Sequence, residues 1–190
     1  MWHRLLRDTR FYQLLTRCDD DRAAAIKAAG CPCGGVLHWA SFRRKPRGGP
    51  EGLGDEDERR CSFCCAEEGC RKRCTPPSLR FLGRKIYYGV VVVLVSAMRH
   101  GATPARMNKL RELIGVSRRT VERWRVWWRE TFAESPLWRI ARGAFVPPVE
   151  RRLLPASLLE RFAGEEQARL VALLRLLGPL TGGASTAHAR

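Results

Sequence analysis

Apolar positions recur at helical spacing in three stretches of the chain. Residues 1–29 set Leu5, Leu6, Leu14, Leu15 and Ile26 into a polar run, which predicts helix. The acidic triple Asp19–Asp21 suits a helix N-terminus and marks the start of a second short helix, with Gly30 as its stop. From Met107 to Glu130 the sequence MNKLRELIGVSRRTVERWRVWWRE divides into helices over 105–114 and 117–132, joined at Gly115–Val116–Ser117. Leu110, Ile114, Val116, Val121 and Trp124 are the apolar positions that hold two crossed helices together. Val121, Trp124, Trp128 and Phe132 share one face of the second. Over 156–177, Leu158, Leu159, Phe162, Leu170, Leu173, Leu174 and Leu177 form a third stripe.

The segments between these stretches read differently. Residues 31–74 run through a turn (CPCGG), a strand-like VLHWASF, a loop, then RRCSFCC and a second turn, the pattern of a hairpin. Its loop, residues 43–60, is rich in Gly, Pro and charge and is expected to be mobile. Thr75-Pro-Pro-Ser78 is a helix-start signal with Ser78 as the cap. Val90–Val93 favours a strand by propensity, yet the length of the run to His100 predicts helix, broken at Gly101–Pro104. Its apolar part, Ile86–Met98, is shorter than the ~20 residues a bilayer span needs, so it reads as a buried element and no membrane partner is expected. Residues 135–155 hold Pro136, Pro147, Pro148 and Pro155 and look like an irregular arm. The small, polar tail from Gly178 is expected to be disordered. The fold class is thus mainly α with a small zinc-ribbon β-hairpin and a helix-turn-helix domain. The expected division is 1–29 helical, 30–76 ribbon, 77–134 helix-turn-helix, and 135–190 arm, helices and tail.

Charge adds a partner to this outline. The chain has 35 Lys+Arg against 19 Asp+Glu, a formal net charge of +16. Between Arg71 and Arg152 there are 19 basic and 5 acidic residues, so this stretch carries +14 of it. An excess so placed suits a polyanion better than a uniformly solvated basic surface. The second helix of the pair concentrates it. Arg119 and Arg123 point away from the apolar face, and Arg118, Arg125 and Arg129 lie along the flank. Ser117 caps the helix, with Thr120 in its first turn. Arginines so placed can reach guanine edges or pair with phosphates of double-stranded DNA. The candidate DNA-binding residues are Ser117, Arg118, Arg119, Thr120, Arg123 and Arg125. Arg111, four residues before the turn glycine, stands where close helix approach favours a small residue. Either the crossing is wider or the arginine extends outward.

Eight cysteines point to metal. The N-terminus MWHRLLRDTR lacks an apolar leader, so a cytoplasmic, nucleoid-associated protein is expected, where cysteine clusters favour metal over disulfides. A structural zinc site takes four Cys or His ligands in two close pairs at turns. Cys31 and Cys33 supply one pair, with His38 able to replace a member. Cys61, Cys64, Cys65, Cys70 and Cys74 all compete for the second. Cys18 stands alone and reads as a small buried apolar residue. Neither His38 nor His100 sits in a nucleophile motif, so no catalytic residue is assigned.

Taken together, CPCGG, FCCAEEGCRKRCTPPS, an apolar helix and LRELIGVSRRTVERWRVWWRE resemble the N-terminal half of certain bacterial insertion-element transposases and their short zinc-ribbon/helix-turn-helix companion proteins. The resemblance spans residues 30–132. In that family the second knuckle reads aromatic, Cys, a short gap, Cys, a basic pair, then Thr-Pro and a helix. The pattern falls on Phe63, Cys65, Cys70, Arg71–Lys72 and Thr75–Pro76, and implies Cys31, Cys33, Cys65 and Cys70 as ligands of a structural Zn2+. The single-residue gap at Cys31–Cys33 and the four-residue gap at Cys65–Cys70 depart from its usual spacing. The family also implies binding to inverted repeats or promoter DNA. Its catalytic members carry three acidic residues that hold two metal ions. Here no Asp follows Asp57, and too few residues follow 132 for such a domain.

The expected function is therefore a non-catalytic, sequence-specific DNA-binding protein of a mobile element, acting with a separate transposase or on transcription. Two other classes compete. One is an RNA- or ribosome-associated zinc ribbon with Trp39 and Phe42 stacking on bases. The other is a protein-interaction adaptor using the stripe at 156–177, which is also the candidate homodimer face.

Overall fold

The computed structural model of the chain describes residues 3–83, 85–98 and 103–182. The expectations for His100, for the break at Gly101 and for the last eight residues lie outside them.

The chain opens with α1 (His3–Arg7) and α2 (Thr9–Ala29). The Asp8 carboxylate caps α2 by accepting from the backbone N–H groups of Arg10 and Phe11. No second helix starts at Asp19–Asp21, because α2 runs through them to Gly30. Asp19 turns inward on this helix and is buried with Phe11, Tyr12 and Leu15.

The cysteine-rich region follows. It contains β1 (Leu37–Trp39), β2 (Phe42–Arg43), a short helix α3 (Asp55–Glu58), β3 (Arg59–Arg60), β4 (Phe63–Cys65) and β5 (Arg73–Cys74). The run VLHWASF splits between two sheets. β1 joins an antiparallel sheet in the order β1-β4-β5, with Leu37 opposite Cys65, while β2 pairs with β3. The loop 43–60, expected to be mobile, is fastened to the helical body. Arg47 donates its N–H to the Ile86 carbonyl at 2.7 Å and accepts from Tyr88 N–H at 3.2 Å. The Arg44 guanidinium donates to the carbonyls of Gly83 and Lys85.

Residues 75–83 and 85–88 form no helix but carry isolated bridges at Phe81, Tyr87 and Tyr88, and Ser78 caps no helix. Its buried hydroxyl accepts from Arg80 and Phe81 N–H and donates to Asp19. Helix begins only at α4 (Gly89–Ser96), in which all eight residues are buried. Four consecutive valines are helical here because burial on every side outweighs their modest β preference. This helix touches α1, the arginine-rich α6 (Arg118–Trp127) and the C-terminal α9 (Glu166–Leu177), so it stands at the centre of the body.

The intervening α5 (Pro104–Ile114) is capped by Thr103. After α6 a π-helical turn covers Trp128–Phe132, then α7 (Pro136–Ala141) begins under a Ser135 cap and buries Trp138. The expected irregular arm is thus partly helical. The stripe at 156–177 is broken into α8 (Ala156–Leu159) and α9. Leu158, Leu159, Leu170, Leu173, Leu174 and Leu177 are all buried in the chain's own core. These leucines close the chain's own core, the plainer use of the stripe expected as a dimer face. Nor is the segment after Gly178 loose at its start: the Thr181 hydroxyl accepts from Ser78 N–H at 2.7 Å.

One buried polar cluster joins these parts. Arg80, 1 % exposed, pairs through Nε with Asp19 at 2.9 Å. It also donates to Thr16 Oγ1 and to the carbonyls of Glu56, Asp57 and Arg59. Every branch of the guanidinium has an acceptor, as a buried charge requires. The cluster locks α2, the loop and the segment before α4 to one another.

Candidate metal centre and basic helix

The cysteines meet because two turns face each other across β1 and β4. Gly30 ends α2, and Cys31 begins a turn closed by hydrogen bonds from Gly34 N–H to Cys31 O and from Cys31 N–H to Gly35 O. Across the sheet, Cys65 ends β4 and Cys70 sits in a turn where Cys70 and Arg71 N–H both bond the Glu67 carbonyl. The Sγ atoms of Cys31, Cys33, Cys65 and Cys70 all lie within 4.8 Å of one another. Cys31 and Cys70 sulfurs are 3.7 Å apart, and those of Cys33 and Cys65 3.5 Å. Gly35 makes the closure possible: a Cβ there would stand 2.7 Å from the Cys65 sulfur and 2.5 Å from Glu67 Cγ.

The electrostatics of the cluster favour an added cation. The backbone N–H of Gly35, with the neighbouring thiols, pulls the Cys33 thiol down to about 7. Burial pushes Cys65 up to about 12, against a hydrogen bond from the Glu67 backbone. Four thiols at this separation cannot all ionise without a positive charge among them, and a metal ion supplies one. The cluster can therefore hold one metal ion, and among the described residues no other close group of three Cys, His, Asp or Glu side chains is found.

The rival ligands are elsewhere. His38 and Cys64 lie opposite each other in the β1–β4 register, on the sheet face away from Leu37 and Cys65. Cys61 is buried with its sulfur 3.5 Å from Asp20 Oδ1, and Cys74 ends β5 outside the cluster. Cys18 packs half-buried against the main core.

The helix pair is built as follows. Gly115 adopts φ +64 at the end of α5, a left-handed position that suits glycine. Its carbonyl accepts from the Tyr87 hydroxyl at 2.9 Å, and the Tyr87 ring packs edge-on against Trp124 at 5.0 Å. Tyr87 thus ties the turn and α6 to the body, a role nothing in its local sequence announces. Val116, Val121, Trp124, Trp128 and Phe132 are all buried.

The candidate DNA residues divide into three groups. Arg119 and Arg123 are exposed, and no hydrogen bond or ion pair engages either side chain among the described residues. Ser117, Thr120 and Arg118 are engaged locally. Ser117 Oγ accepts from Thr120 N–H and lies 3.0 Å from Thr120 Oγ1, and Arg118 pairs with Glu122 at 2.9 Å. Arg125 is half-buried and donates to the Met98 carbonyl at 3.1 Å, so part of its guanidinium serves the end of α4. Arg111 is exposed, so the irregularity it posed is met by an outward side chain.

No protein-family model, curated protein or solved structure matches the chain. No helix among the described residues is long and apolar enough to cross a membrane.

Proposed function

We propose that the chain is a non-catalytic, sequence-specific double-stranded-DNA-binding protein of a mobile element, with α5 and α6 as a helix-turn-helix and a structural Zn2+ in the cysteine ribbon. One observation carries the DNA reading. α6 is held by Val121 and Trp124 on its buried side and offers Arg119 and Arg123, without competing partners among the described residues, on its open side. A net charge of +16 supports a polyanionic target. The zinc reading rests on donor type and spacing. Four thiolates around zinc at ~2.3 Å form a tetrahedron with edges of about 3.8 Å, and the sulfur separations here are 3.5 and 3.7 Å for two pairs and no more than 4.8 Å for any. Four protein ligands leave no open position, so the metal holds structure and performs no chemistry. The resemblance to insertion-element proteins supplies the proposed target, inverted repeats or promoter DNA, and a separate transposase as partner.

Mobility shift on duplexes from the DNA flanking the gene, set against scrambled duplexes, tests this. The double variant Arg119→Ala/Arg123→Ala is expected to lose about tenfold or more in affinity and to keep its helical circular dichroism. The slope of log affinity against log salt should fall by roughly one unit for each phosphate no longer neutralised. Equal affinity for scrambled DNA removes the specificity claim, and unchanged binding by the double variant removes α6 as the reading helix.

A second reading has one observation in its favour: Trp39 and Phe42 on the ribbon are 50 % and 40 % exposed, as base-stacking residues would be. Single-stranded RNA that displaces the duplex, and that no longer binds after Trp39→Ala, would transfer the function to the ribbon.

A further inference from the structure

A cleft of about 220 Å³ opens between the end of α4, the flank of α6 and the segment leading into α8. Arg125, Arg129 and Arg152 line it, together with Ser96 and the apolar Leu154. No carboxylate lines it among the described residues. Its neighbour Arg151 is neutralised by Glu134 at 2.6 Å, but Arg152 has no side-chain partner among the described residues. Arg125 commits one N–H through Nη2 to the Met98 carbonyl, and Arg129 commits Nε to the Arg125 carbonyl. Each guanidinium carries five N–H donors, so most of both remain.

Ser96 adds an independent observation. The residue is 6 % exposed, and its buried hydroxyl has no hydrogen-bond partner among the described residues. Buried hydroxyls without partners are uncommon and call for an explanation.

We propose that this cleft is a binding site for a phosphoryl group. Three arginines line one small space, and their like charges repel one another unless an anion lies among them. A phosphoryl group carries several acceptor oxygens and more than one negative charge, which suits a cleft lined by three arginines better than a two-oxygen carboxylate does. The Ser96 hydroxyl is enclosed as it stands, and a turn about its Cα–Cβ bond into the cleft would let it donate to a phosphoryl oxygen and gain the partner it lacks. The cleft is smaller than the usual 300–1,000 Å³ ligand pocket, so it takes the phosphate and leaves the rest of its bearer outside. The bearer is either a DNA strand crossing the flank of α6 or a free phosphorylated small molecule.

Titration calorimetry of the full chain with pyrophosphate decides the matter, whether or not the protein binds DNA. One saturable site per chain is expected at low salt. Arg152→Ala, an exposed change, should weaken it by about tenfold, the value of one charge-assisted hydrogen bond. Ser96→Ala should weaken it several-fold while leaving the melting temperature unchanged or higher, because it removes a buried hydroxyl that has no partner. Arg142→Ala, outside the cleft, should change nothing. No saturable binding, or binding indifferent to both Arg152→Ala and Ser96→Ala, overturns the site. Competition with duplex DNA identifies the source. If duplex displaces pyrophosphate and Arg152→Ala flattens the DNA salt slope by about one unit, the phosphate belongs to the strand. If neither occurs while pyrophosphate binds, it belongs to a small molecule.

Discussion

In the cysteine ribbon the buried apolar cluster is Ala23, Cys31, Leu37, Cys61, Phe63 and Cys65, half of it cysteine. In the helical body the cluster runs from Leu5 to Leu177 and includes three tryptophans and six consecutive residues of α4. Strands of two or three residues cannot carry a fold on so little burial. The ribbon has to be closed by its sulfur cluster and by the end of α2, whereas the body is closed by apolar packing. That difference separates the two jobs. The body packs α6 into an apolar core to which none of the four clustered cysteines belongs, whereas two of them, Cys31 and Cys65, sit in the ribbon's own small core beside a site that could hold a metal ion.

The Arg80 cluster is where the two regions are joined, and cutting it should have the largest effect on both. Asp19→Ala leaves Arg80 buried without its carboxylate and should cost about 3–5 kcal/mol, read by urea denaturation with tryptophan fluorescence. A loss below about 1 kcal/mol would mean that the carbonyls of Glu56, Asp57 and Arg59 hold the charge unaided. Gly35→Ala acts on the ribbon alone. Its Cβ would press on the Cys65 sulfur, so metal affinity should fall by about tenfold or more while the tryptophan-rich body keeps its denaturation midpoint. Competition with a chromophoric chelator measures the affinity, and an unchanged value would show that the turn shifts without strain. The smallest effect lies in the body. Ser117→Ala removes the α6 cap and should cost about 1 kcal/mol, with metal content untouched.

Legibility in the sequence follows the same division. The four cysteines, the turn glycine and the apolar face of α6 sit in short segments whose spacing encodes their geometry, and the structure brings the four cysteines together. The choice of Cys65 and Cys70 over Cys64 and Cys61 rests, in the sequence, on family resemblance. The structural reasons are alternation along β4, which turns Cys65 in and Cys64 away, and the turn on the Glu67 carbonyl that carries Cys70; neither is legible without the fold. The Asp19–Arg80 pair is invisible in the sequence because its members are 61 residues apart, and Asp19 has the look of a helix start. Ser78 misleads similarly: its capping chemistry is real but serves a turn beside Asp19, so the helix begins eleven residues later, at Gly89. The loop at 43–60 has a mobile composition, yet its backbone finds partners at Ile86 and Tyr88 that no local pattern announces. Leucines at 158–177 carry a helical stripe, but only the fold shows that α4 and α8 already cover it.

The proposed closure of the ribbon by one metal ion on Cys31, Cys33, Cys65 and Cys70 is what sets it apart from the apolar body. Native mass spectrometry of the full chain, as isolated and as single Cys→Ser variants, puts it to the test. One zinc per chain is expected in the parent protein and in Cys61→Ser, Cys64→Ser and Cys74→Ser, and its loss in Cys65→Ser and Cys70→Ser. A parent chain without metal, or zinc retained in Cys65→Ser and lost in Cys64→Ser, would contradict it.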